Sequence, residues 1–143
     1  MLSIWSIQQL GILVASQADV RRIALSFPGA EEVNGRFAFF VRNKDKAKEF
    51  AWVWMERIDP RKARVPQPKA LAVMVASVAE RDLMVRHDPV RFFTEPHYEG
   101  FPAVLVRLPE ITVRQLRPLL AAAWRIRAPR DPGEKKPRSH TRN

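Results

Sequence analysis

The spacing of apolar positions divides the chain into alternating helical and extended segments. From position 16 the pattern is helical. Ser16 is a helix cap and Asp19 suits the positive end of the helix dipole, while Val20, Ile23, Ala24 and Phe27 recur on one face. Pro28-Gly29 predicts the stop. The Asn34-Gly35 turn then leads into a strand over 36–42, with Phe37, Phe39 and Val41 sharing a side. A second strand over 50–55 places Phe50, Trp52 and Trp54 together. Residues 70–76 and 103–108 are apolar runs of strand length. Ser77 and Glu80 have capping-box spacing and open a helix to about Arg86, with Val78, Leu83 and Met84 as its apolar side. Thr112 caps a last helix. Val113, Leu116, Leu120, Ala123, Trp124 and Arg127 line one side of it, with Arg114, Arg117 and Arg125 opposite, and Pro118 predicts a bend.

The linking segments are polar. Residues 42–48 read as a basic loop. Residues 59–69 read as a second one, because Pro60, Pro66 and Pro68 oppose both a helix and a central strand. The order helix, hairpin, strand, helix, strand, helix predicts an α+β domain: a single-layer antiparallel sheet with helices on one face. Residues 1–15 form an apolar extension that packs on the body, 16–129 the domain, and 130–143 a polar, basic, proline-rich tail whose composition predicts disorder. The extension lacks the basic start of a signal peptide and is too short and too polar to span a bilayer, so no membrane association is expected.

Charge adds a partner class. The chain of 143 residues carries a formal net charge of +10, and most of it lies in the body. Such an excess favours polyanions, nucleic acid first among them. There is no cysteine, which excludes disulfides and thiolate chemistry and fits a cytoplasmic protein. Three histidines, His87, His97 and His140, are too scattered for a metal cluster. Nucleotide-binding glycine loops, hydrolase elbows and zinc-protease motifs are absent, so neither a cofactor nor a catalytic site is expected. His97-Tyr98-Glu99 is the most enzyme-like cluster, but Pro96 and Gly100 bracket it as a rigid turn. The candidate nucleic-acid contacts are Arg42, Lys44, Lys46, Lys48, Arg57, Arg61, Lys62, Arg64 and Lys69, which flank the aromatic strand.

Three stretches together resemble the MmcQ/YjbR family: DVRRIALSFPGAEE at 19–32, FFTEPHYEGFPAVLVRLPEI at 92–111 and RQLRPLLAAAWRIRAP at 114–129. MERIDPRK at 55–62 is similar to a subgroup with a longer basic loop. The resemblance implies a curved antiparallel sheet of the CyaY-like fold and a double-wing DNA-binding module with no catalytic residues. Loops 42–48 and 57–69 would then contact DNA phosphates. The alternative is an adaptor that takes a protein or a small ligand at His97, Tyr98 and Glu99, beside the sheet. Oligomeric state is not legible in the sequence.

Overall fold

The computed structural model describes residues 13–130. Three helices, α1 (Gln17–Ala24), α2 (Val78–His87) and α3 (Val113–Arg127), accompany six strands: β1 (Glu31–Glu32), β2 (Ala38–Asn43), β3 (Lys46–Glu56), β4 (Val65–Met74), β5 (Phe92–Phe93) and β6 (Ala103–Arg107). The strands form one antiparallel sheet in the order β1-β2-β3-β4-β6-β5, so the fold is α+β. The tail and most of the N-terminal extension lie outside the described residues. The last part of the extension joins the body: Val14 bridges to Thr112, and the Ala15 amide donates to the Ile111 carbonyl at 2.8 Å.

The core lies between the helices and one sheet face. Val20 and Ile23 of α1 and Leu116, Leu120 and Ala123 of α3 are buried with Phe39, Val41, Leu71, Val73, Val104 and Val106. Each large side chain removed from water there contributes about 1.5–3 kcal/mol. The caps read from the sequence hold, and Ser16 with Asp19 and Thr112 with Gln115 form full capping boxes. The indole N–H of Trp124 donates to the Pro28 carbonyl at 3.0 Å, which ties the chain corner after α1 to α3.

Four local expectations are corrected. First, 42–48 is not a loop. Asn43 pairs with Lys46 across a two-residue turn, and Lys44 and Asp45 have φ of 54° and 65°, as a primed hairpin turn requires. Second, Phe50 leaves the stripe it was expected to share with Trp52 and Trp54. The register slips between Phe39 and Phe40, so Phe50 and Ala51 both enter the helix-side core while Trp52 and Trp54 line the opposite face. Third, Pro66 and Pro68 lie inside β4. They are tolerated because β6 pairs only with Ala70–Met74, which leaves the proline stretch on a two-stranded ribbon with β3. Fourth, Leu83 of α2 is exposed and the buried side chain of that helix is Arg81. The edge strands β1 and β5, two residues each, were too short to show any period.

Lys44 and Asp45 hold a backbone conformation that costs a side-chain-bearing residue about 1 kcal/mol. Asp45→Gly should therefore raise unfolding stability by about that amount in urea titration, with an unchanged denaturant slope.

Candidate nucleic-acid interface

The basic residues singled out in the sequence fall into two groups, which the fold holds apart. β3 runs from Lys46 to Glu56 and separates the Lys44-Asp45 turn from the 57–64 loop. At about 3.3 Å per residue, less what the irregular registers take up, the two tips stand roughly 30 Å apart. Each carries four basic side chains against one acidic: Arg42, Lys44, Lys46 and Lys48 with Asp45, and Arg57, Arg61, Lys62 and Arg64 with Asp59. Lys69 belongs to neither tip and sits exposed within β4.

The first tip presents charge on both flanks. Lys48 pairs opposite Val41, and Lys46 opposite Asn43, whose side-chain amide donates to the Arg127 carbonyl at 3.0 Å, so both lysines share the helix side. Arg42 stands on the other side, 5.4 Å from the centre of the Phe40 ring and 3.7 Å from Glu31. The Arg127 guanidinium donates to the Glu49 carbonyl at 2.9 Å and brings the last turn of α3, with exposed Arg125, alongside this hairpin. Arg114 and Arg117 lie in the first turns of α3, away from the end that meets this hairpin.

At the second tip, two arginines are spent on shape. Arg57 donates to the Lys62 carbonyl at 2.9 Å, and Arg64 donates to the Met55 carbonyl at 3.0 Å. Both bonds fix the loop. Arg61 is exposed and only loosely paired with Asp59 at 3.6 Å. Lys44, Lys46, Lys48, Lys62 and Lys69 make no ion pair among the described residues.

The segment 94–101, which follows β5, covers the sheet face that carries no α-helix. Tyr98 is buried, and its hydroxyl accepts from the Trp52 indole N–H at 3.0 Å. Phe101 packs against Trp52, and Phe93 meets Trp54 edge-on at 5.2 Å. The buried Arg81 guanidinium pins this segment from below, donating to the Tyr98 and Phe101 carbonyls at 2.5 and 3.1 Å. The cluster His97, Tyr98, Glu99 therefore diverges: Tyr98 turns inward while His97 and Glu99 are exposed. Burial pushes the Tyr98 phenol above its ordinary value, and the Trp52 N–H offsets part of that. Trp54 Nε1 and Glu95 Oε1 are buried with no hydrogen-bond partner among the described residues. Arg81, Phe93 and Arg107 were not singled out in the sequence. A charged residue on the expected polar side of α2 and a lone arginine ending an apolar strand were the only signals.

Among the described residues, no group of His, Asp and Glu could hold a metal ion, and no helix is long and apolar enough to cross a membrane. No family model matches the chain. It is similar to the uncharacterized proteins Mb2600 of Mycobacterium bovis and MT2646 and Rv2570 of Mycobacterium tuberculosis, each 40% identical over 65 residues, 46% of this chain. The chain spans about half the length of these curated relatives, with 50% of each covered. No solved structure matches.

Tyr98 is the sole tyrosine of the chain, so phenolate absorbance reports it alone. Its raised pKa means the fold favours the protonated phenol. That contribution is complete below the unfolded value near 10.0 and is lost as pH rises through the folded value. The absorbance midpoint should lie above 10.0 in the native protein and fall on unfolding in urea. Trp52→Phe strips Tyr98 of its donor, whereas Trp54→Phe removes an N–H that has no partner. The first should cost about 1 kcal/mol more than the second in the same titration.

Proposed function

We propose that the chain is a nucleic-acid-binding module of the MmcQ/YjbR type, a CyaY-like sheet that works in the cytoplasm without catalysis. Its two basic hairpin tips grip the phosphates of one DNA duplex. The observation that supports this reading is the 11-residue length of β3 between them. Tips of like charge roughly 30 Å apart approach the length of one turn of B-DNA, about 34 Å, so both can meet the backbone along one face of a duplex. Lys44, Lys46, Arg61 and Lys62 make the phosphate contacts, and Arg57 and Arg64 hold the second tip in shape. Such contacts position the protein without reading sequence. The rival adaptor reading draws on less: the Tyr98 hydroxyl is engaged, and the backbone carbonyls of Tyr98 and Phe101 are held by Arg81.

The test is fluorescence anisotropy with a labelled duplex of about 16 base pairs and a capped stem of about 6, which is too short to reach both tips. On the long duplex, affinity should fall with salt at a log–log slope near −0.9 per phosphate engaged. K44Q/K46Q and R61Q/K62Q should each flatten that slope by about 2. On the short stem the unmodified protein should already show the flatter slope. Equal slopes on both lengths would remove the two-tip geometry, and no binding at about 50 mM salt would remove nucleic acid altogether.

A further inference from the structure

Beyond the two tips, a cleft of about 280 Å³ opens on the uncovered sheet face, where the ends of β3 and β4 meet β5, β6 and the 108–110 turn. We infer that this cleft is a nucleotide site, taking one nucleobase against Trp54 and its phosphate at Lys69 and Arg107. Four features of the lining carry the inference.

The wall is aromatic. Trp54 is partly exposed, and its ring is braced by the edge contact with Phe93. Nucleobase stacking on such a ring contributes about 1–3 kcal/mol and tolerates any base. Next, Arg107 is set in place before any ligand arrives. One of its terminal nitrogens donates to the Pro89 and Val90 carbonyls at 3.0 and 3.3 Å, and the guanidinium lies 4.2 Å from the Phe93 ring centre. A guanidinium has five N–H donors, so most remain for an anion. No carboxylate pairs with Arg107 or Lys69 among the described residues.

The third feature separates a nucleotide from a bare anion. Glu56 and Glu110 also line the cleft and balance its two cations. One Glu56 oxygen accepts from the Gln67 amide at 2.8 Å, which leaves the other as an acceptor. A site lined by two cations and by a carboxylate that Gln67 holds in place suits a ligand with an anionic group and hydrogen-bond donors together. A phosphate joined to a base with an exocyclic amine is such a ligand, because a carboxylate accepts from the amino edge of cytosine. Last, size sets the limit. At about 30 Å³ per water the cleft holds roughly nine waters, the scale of one base with its sugar phosphate.

The inference stands apart from duplex binding, since a free nucleotide or the terminal nucleotide of a strand presents the same chemistry. The experiment follows the indole N–H resonances of the full chain, which has four tryptophans, with that of Trp54 identified by its loss in Trp54→Phe. Guanosine, cytidine, adenosine and uridine monophosphates are titrated to about 5 mM beside ribose 5-phosphate and inorganic phosphate, and Kd values below about 1 mM are expected for the amine-bearing bases. Ribose 5-phosphate and inorganic phosphate should leave the Trp54 resonance in place. Lys69→Gln should weaken binding about tenfold, the loss of one charge-assisted contact. Glu56→Gln should erase the preference over uridine. Unchanged resonances of the other indoles confirm that each variant is folded. Movement with free nucleotides alone identifies a metabolite-sized ligand, and equal movement with a short single strand identifies a strand end. The inference is overturned if no nucleotide moves the resonance saturably, if phosphate alone moves it as far, or if Lys69→Gln binds as tightly as the unmodified chain.

Discussion

A sheet has two faces, and the helices of this small protein supply the core on only one of them. The other face carries Trp52, Trp54, Ala72 and Leu105, too much apolar surface to leave in water. The chain meets this constraint by laying 94–101 across it, with Tyr98 as the plug. A covering segment that short has few contacts of its own, so it depends on the buried guanidinium of Arg81. An unpaired cation there would be costly, and two backbone carbonyls and Asp82 satisfy it. The 3.0 Å bond between Trp52 and Tyr98 and the aromatic packing around it follow from that tether. So does the cleft beside Phe93, which is the part of the face the segment leaves open.

Much of the scaffold was legible because it obeys one period or one capping rule at a time. The caps at Ser16 and Thr112, the apolar face of α3 and the runs in β4 and β6 are local signals, and the structure repeats them. The failures share a cause: each depends on a partner strand. Phe50 changes sides because of a slip against Phe39 and Phe40. Lys46 and Lys48 become strand residues because β2 pairs with them. Pro66 and Pro68 enter β4 because β6 stops short at Ala70. Arg81 is buried because a segment seventeen residues later needs donors. None of these partners is visible in the residues themselves.

The candidate interface shows the same division. The charged residues and their approximate setting were readable in sequence, but their separation was not, because it is fixed by the length of β3. That strand acts as a spacer. It separates two short basic segments into two discrete clusters, and in the second of these Arg57 and Arg64 are held by backbone carbonyls. The cleft was the least readable feature. Its residues come from four strands and a turn, and its cations, Lys69 and Arg107, lie thirty-eight positions apart in the chain.

The two prolines of β4 also bear on behaviour at high concentration. Where β6 ends, β4 continues with one flank unpaired, and an unpaired flank of backbone donors is a template on which another chain can add. Pro66 and Pro68 lack those donors, and the true sheet edges, β1 and β5, are two residues long. The fold thus keeps a long strand exposed for much of its length while offering little purchase for intermolecular β-stacking, which protects an aromatic-rich sheet from growing into fibres.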